Sequence, residues 1–309
     1  MTLLEQPSAS PDRAFAALRW AAACADEPAR LEDSAPRAGV DEWLAVPVEQ
    51  LRVELDALMM HRRGVEEALE ALQRSGFFVA WLPEIEAMIG MTDGEWKHKD
   101  VWKHTKQVVK QSVPRLSVRW GALLHDIGKP RTRKIDERGR VTFHGHAELG
   151  ARMFRRKVAS RLGFEGELSE RVHFLILHHL RPSQYEDSWT DAAVRRFYKQ
   201  MGEGLKDLLD LGRADITTKR PAKKKRGIRN IADLKKRVVA LQKEDAQVKP
   251  LPKGLGLLIS ERFGVPPSKR LGELMSELEQ CAYAGEVEFQ QEFEHYLAFL
   301  DANRERFAL

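Results

Sequence analysis

Seven of the chain's ten histidines fall between positions 104 and 179. Six of these keep suggestive company: His104, the adjacent His125-Asp126, the near pair His144 and His146, and the adjacent His178-His179. A further acid, Asp215, stands downstream in LGRADI. Imidazole and carboxylate are the side chains that hold divalent zinc, manganese, iron or nickel. A metal held this way makes hydroxide from water near neutral pH and neutralises a phosphoryl group. A single histidine on an apolar helix face is more often a satisfied core residue. The ordered set is harder to dismiss, because LLHDIG and FLILHHL place polar groups inside apolar runs, where a carboxylate needs a cation or hydrogen bonds.

Helices must carry this set. Ala14 to Cys24 is alanine-rich and lacks breakers. In PVEQLRVELDALMM, Leu51, Leu55, Leu58 and Met59 share one helical face, and Val65, Leu69 and Leu72 repeat the pattern up to Gly76. A short helix is expected near Pro83–Ile89, and residues 25–45, with Pro28, Pro36 and Gly39, read as a loop. A helix from Asp100 to about Val113 ends at Pro114. RLSVRWGALLHDIGK forms a second, ending at Gly128. Further helices are expected near 146–162, 168–180, 190–200 and 203–217, and LSERVHFLILHHL is apolar nearly all round, hence buried. Pro266-Pro267 separates two C-terminal helices. KIDERGRVTF, around Arg138-Gly139, is the single strand candidate. The fold class expected is all-α, a helical bundle that draws its site residues from several helices, with at most one small hairpin.

Length and composition agree. The 309 residues are 43% hydrophobic and 31% charged, enough for about two domains with substantial cores. No apolar run reaches membrane-spanning length, and MTLLEQPSASPDRAF, with Glu5 and Asp12, has no signal-peptide pattern. A reducing, cytoplasmic location without membrane attachment is the expectation. Cys24 and Cys281 stand too far apart for a zinc ribbon or a disulfide framework. The net charge of +5 hides an asymmetry: residues 1–96 carry −10, residues 97–220 carry 27 basic against 15 acidic residues, and the remainder carries +3. The middle segment favours anionic partners such as phosphates or nucleic acid.

Together, DVWKHT, ALLHDIGKP, FHGHAELGA, LILHHLRP and RADI resemble the HD superfamily of metal-dependent phosphohydrolases. In particular they resemble the HD domain attached to bacterial CCA-adding tRNA nucleotidyltransferases of the poly(A) polymerase family. PDRAFAALRWAA and PVEQLRVELDALM are similar to that family's neck. DITTK, LKKRVVALQKED and FGVPPSKRLGELM are similar to its body and tail. The resemblance thus implies a neck-like region at 1–95, an HD domain at 96–220 and a tail at 221–309. The family's nucleotidyltransferase head would precede the neck, and residues 1–45 hold neither a glycine-rich nucleotide loop nor a DxD motif. Nucleotide addition by this chain alone is therefore not expected.

The resemblance also implies roles. His104, His125, Asp126 and Asp215 match the core that holds one divalent ion. His146 and His178 match the extra histidines of binuclear members, with Asp126 bridging two ions. His144 and His179 are expected to stay outside the ligand set. Lys129, three residues after Asp126, is positioned by sequence to hold a substrate phosphate as a point charge. The implied reaction is hydrolysis of nucleotide or RNA-terminal phosphate esters, with 2′,3′-cyclic phosphates, 2′-nucleotides and simple phosphomonoesters as the repertoire. The ligand types suit Mn, Ni, Mg, Fe or Zn and do not choose among them. No GYP signature follows the site, and Ile127-Gly128-Lys129 stands where stringent-response hydrolases carry an acidic pair.

The run KRPAKKKRGIR holds Lys219, Arg220, Lys223, Lys224, Lys225, Arg226 and Arg229. Pro221 and Gly227 predict a flexible segment near the site mouth. Lys223, Lys224, Lys225 and Arg226 are either phosphate-backbone contacts for RNA, tRNA included, or a solvated loop. The run lacks aromatic residues, so base stacking on it is unsupported. Two other readings stand beside the hydrolase: an RNA-binding module with a structural HD site, and one chain of a split nucleotidyltransferase. The oligomeric state is left open. Trp81, Trp96, Trp102 and Trp120 are expected in the core, and His61, His98, His173 and His295 in surface or packing roles.

Overall fold

In a computed structural model of the chain, residues 9–92, 100–137, 139–246 and 249–309 are described. Trp96, His98, Arg138 and Glu5 lie outside them. The described residues are mostly α-helical. Their strands are Lys134–Ile135 and Val141–Thr142, an antiparallel pair in which Lys134 faces Thr142, and an isolated bridge joins Thr92 to Asp100. No helix among the described residues is long and apolar enough to cross a membrane. The chain forms two compact units, Met1–Val238 and Val239–Leu309.

The first unit is built on stripes of apolar residues at helical spacing. Helix Asp12–Asp26 buries Ala14, Ala17, Leu18, Ala21, Cys24 and Ala25. These small side chains let other backbone come close: a Cβ on Gly64 would stand 1.8 Å from the Ala25 carbonyl oxygen. Helix Val48–Met60 buries Leu51, Leu55, Leu58 and Met59, and helix Val65–Arg74 buries Val65, Ala68, Leu69 and Leu72. Each fully buried leucine contributes about 1.5–3 kcal/mol. Edge-on aromatic contacts run from Trp43 through Phe77 and Phe78 to Trp102. Residues on both sides of position 95 therefore share one core, and Trp102 packs there. Trp81 and Trp120 are buried too.

Helix Leu116–Leu124 is the axis of this unit, buried from Ser117 to Leu124. Gly121 lets it meet helix Gly166–His178 closely, since a Cβ there would lie 2.9 Å from Leu175 Cδ1. Buried Arg119 donates to the carbonyls of Ser112, Met59 and His61. These carbonyls close helices Val101–Gln111 and Val48–Met60, whose negative dipole ends offset the buried charge.

Three local expectations change. Residues 40–44, expected in a loop, form a short helix, because Glu42 accepts from the Gly39 amide at 2.7 Å and Trp43 is buried. The helix expected to run to Gly128 stops at Leu124, leaving His125 and Asp126 on the turn beyond it. The basic run is not flexible: Pro221–Ala246 is one helix. Lys224 N donates to Arg220 O, so Pro221 occupies the first helical position, where its missing N–H costs nothing. Gly227 is a close-approach residue, because a Cβ there would lie 3.2 Å from Ile216 Cδ1.

The second unit has its own core. Leu255, Ile259, Leu274, Leu278, Tyr296 and Leu300 are buried together, from helices Leu255–Phe263, Lys269–Tyr283 and Phe293–Ala302. Tyr296 Oη donates within this core to the carbonyls of Pro250 and Glu288.

Candidate metal centre

Five segments of the first unit converge on one point, the fifth being the C-terminal end of helix Gly166–His178, which brings His179. His104 comes from the first turn of helix Val101–Gln111, whose N-cap Asp100 accepts from Lys103 N. His125 and Asp126 lie on the turn after helix Leu116–Leu124, each 1% exposed. His146 opens helix His146–Met153, preceded by Gly145 in the left-handed region at φ 76°. Asp215 follows helix Leu205–Ala214. The backbone of the first turn of helix His146–Met153 approaches the HD turn so closely that a Cβ on Gly128 would stand 2.1 Å from His146 O.

Two donor groups share Asp126. His104, His125 and Asp126 form one, and Asp126, His146 and His179 the other. In the first, His104 Nε2 lies 3.3 Å from His125 Nε2, 3.6 Å from Asp126 Oδ2 and 3.1 Å from Asp215 Oδ1. In the second, His146 Nε2 lies 3.1 Å from His179 Nε2 and 3.5 Å from Asp126 Oδ1. The two carboxylate oxygens of Asp126 thus point to different groups. Lys129 Nζ pairs with Asp126 Oδ2 at 2.6 Å and stands over the Phe143 ring.

His178, expected in the ligand set, is not brought to this point, and His179, expected outside it, is. The reason is helical phase. Val172, Leu175 and Ile176 are the buried residues of helix Gly166–His178, and His179 continues their stripe at i+7, i+4 and i+3. His178 sits about 100° round the helix and packs on Phe174, ring centroids 4.8 Å apart. Because this helix is apolar on most sides, its sequence does not reveal which face is innermost. His144 is exposed. Sequence reasoning also missed Thr217, whose Oγ1 lies 2.9 Å from His104 Nδ1.

The protons decide what the cluster can hold. His125, His146 and His179 each donate Nδ1–H at 2.8 Å to a carbonyl three residues earlier, those of Ala122, Phe143 and Ile176. Burial pushes the His179 imidazole down to about 4, reinforced by nearby His125. Burial also lowers His146. At neutral pH both are neutral, so both Nε2 atoms present lone pairs to each other at 3.1 Å. Buried Asp126 Oδ1 beside them has no hydrogen-bond partner. Three electron-pair donors with no proton between them could hold a cation.

The other group sets imidazoles against carboxylates. Burial opposes charge on Asp126, but His125 and Lys129 hold its carboxyl well below the ordinary range. Burial opposes charge on Asp215 as well, yet its contact with His104, with His125 nearby, keeps it at about 2. Burial pulls His125 down and the Asp126 carboxylate outweighs it, so the net direction is up. These imidazole and carboxylate donors fit a divalent ion that displaces the protons.

Residues 97–219 match the HD domain family model. An A-adding tRNA nucleotidyltransferase of Deinococcus radiodurans is 32% identical over 252 residues, 79% of this chain and 56% of that protein. A CC-adding tRNA nucleotidyltransferase of Thermus thermophilus is 29% identical over 263 residues, 83% of this chain and 58% of that protein. A bifunctional uridylyltransferase/uridylyl-removing enzyme of Ruegeria pomeroyi is 30% identical over 186 residues, 52% of this chain and 19% of that protein. The chain thus spans little more than half the length of the two nucleotidyltransferases. Residues 97–219, which carry both donor groups on Asp126, thus match the HD domain family, in a chain similar over most of its length to A-adding and CC-adding tRNA nucleotidyltransferases.

Proposed function

We propose that this chain is a metal-dependent phosphohydrolase acting on nucleotide or RNA-terminal phosphate esters, 2′,3′-cyclic phosphates among them. The observation that carries the reading is the proton-free meeting of His146 Nε2, His179 Nε2 and unpartnered Asp126 Oδ1. The HD domain match supports the same class. So does a relative whose name includes uridylyl removal, which is cleavage of a phosphoester link. His104, His125, Asp126 and Asp215 would hold one divalent ion, and Asp126, His146 and His179 a second, drawn from Mn, Ni, Mg, Fe or Zn. An ion so held supplies Lewis-acid activation of water and neutralises charge on a phosphoryl group.

The chain's own residues do the rest. Asp126 directs one oxygen to each donor group and so sets their spacing. The backbone carbonyls of Ala122, Phe143 and Ile176 keep three imidazoles in the tautomer that leaves Nε2 free. Lys129, at the edge of the cluster, holds a phosphate oxygen as a point charge. The functional division proposed is a neck-like 1–95, an HD domain 96–220 and a tail 221–309.

The test is phosphate-ester turnover by metal-free protein supplied in turn with manganese, nickel, magnesium, iron and zinc. Substrates are 2′,3′-cyclic AMP, 2′-AMP, an aryl phosphate and RNA ending in a cyclic phosphate. Metal-dependent turnover that Asp126→Ala abolishes is the expected result. A folded protein without turnover under any metal overturns it. That outcome favours the second reading, a tRNA-binding partner of a separate nucleotidyltransferase chain. The nucleotidyltransferase homology and the basic first turns of helix Pro221–Ala246 support that reading.

A further inference from the structure

The four cluster histidines are not oriented alike. His125, His146 and His179 are each fixed by a carbonyl of their own segment, three residues back. His104 has no such partner: its Nδ1 meets Thr217 Oγ1 at 2.9 Å, across 113 positions of sequence. Its Nε2 stands 3.1 Å from Asp215 Oδ1. Two neutral arrangements are therefore available to this ring. In one, Nδ1–H donates to Thr217 Oγ1 and the Nε2 lone pair faces the cluster. In the other, Nε2–H donates to Asp215, the Thr217 hydroxyl donates to Nδ1, and the ring cannot bind a cation there. Thr217 meets the ring in both and holds its plane in place.

We infer that Thr217 is a positioning residue that fixes the His104 ring through Nδ1 and so sets cation affinity at the His104, His125, Asp126 and Asp215 half of the centre. This rests on the metal-centre reading above. The surroundings are built for the role. Helix Val101–Gln111 grips the same segment twice: two turns after His104, Gln111 Nε2 donates to Ala214 O at 2.6 Å. Ile216, between Asp215 and Thr217, packs on Gly227 of helix Pro221–Ala246, where no larger side chain fits without a shift. The hydroxyl is thus located by contacts on both sides of it. An outer partner of a metal-ligating histidine is worth roughly 10–100-fold in metal affinity.

The experiment compares the full chain with Thr217→Val, which removes the hydroxyl while keeping the shape, and with Thr217→Ser, which keeps the hydroxyl. Manganese binding is titrated calorimetrically in each, and again in a His146→Ala background so that the other half is silent. Thr217→Val is expected to bind about 10–100-fold more weakly, with Thr217→Ser close to the parent. Unchanged affinity in Thr217→Val, or Thr217→Ser as weak as Thr217→Val, overturns the role. A parent chain that binds no divalent ion overturns the metal-centre reading itself and this inference with it, an outcome separate from the others.

Discussion

Gly128→Ala tests whether backbone contact, rather than any side chain, holds the two halves of the centre together. Gly128 has ordinary right-handed helical backbone, φ −78° and ψ −18°, which alanine adopts without strain. The effect must therefore come from the added methyl. It would stand 2.1 Å from His146 O and 2.9 Å from Gly150 N, where ordinary contact begins at 3.4 Å. The first turn of helix His146–Met153 must then retreat by about 1.3 Å. His146 Nε2 is already 3.5 Å from Asp126 Oδ1, and a ligand set has to hold within about 0.5 Å. Affinity at the Asp126, His146 and His179 half should fall on the order of 100-fold. The His104 half should keep its ion, and overpacking should cost about 1–3 kcal/mol of stability. Metal content after dialysis, manganese titration and urea unfolding read these three quantities. Gly272→Ala is the control, since nothing lies within 4 Å of a Cβ there, and it should be neutral or stabilising by up to about 1 kcal/mol. A Gly128→Ala chain that binds both ions with parental affinity would refute the reasoning.

The adjacent histidines should separate cleanly. His179→Ala should lose one ion, and His178→Ala should leave metal content unchanged; equal loss in both would undo the helical-phase argument. Stability of the metal-free chain should depend on pH in a defined window. His179 sits at about 4 when folded against about 6.5 unfolded, so the unfolded chain takes the proton first. Stability then falls by about 1.4 kcal/mol per pH unit as pH drops from 6.5 toward 4. His146, also lowered, acts in the same direction. His125, which is raised, contributes stability below 6.5 that is lost only as pH climbs through its folded value. A flat urea-unfolding profile between pH 6.5 and 4, or a slope unchanged in His179→Ala, would contradict this. Neutralising Lys223, Lys224, Lys225 and Arg226 should weaken RNA binding and lower its salt dependence by about one unit of slope per lost phosphate contact. Equal binding at several salt concentrations would leave that face a solvated one.

The sequence by itself determined the helical class, because apolar spacing in segments such as 48–60 and 65–74 admits no other period. It also determined which chemistry to look for. HDIG places His125 and Asp126 in an apolar run, and burial makes such a pair costly without a cation. His104, His146 and Asp215 were legible from the same ordered pattern. Tertiary structure decided what local pattern cannot express. Whether His178 or His179 faces inward depends on the rotation of a helix apolar on most sides, and packing against Gly121 settles it. Gly227 reads as a breaker in isolation, yet it lets helix Pro221–Ala246 rest on Ile216. Thr217 carries no motif at all. Its meeting with His104 joins residues 113 positions apart, and only the packed chain brings that hydroxyl to that ring.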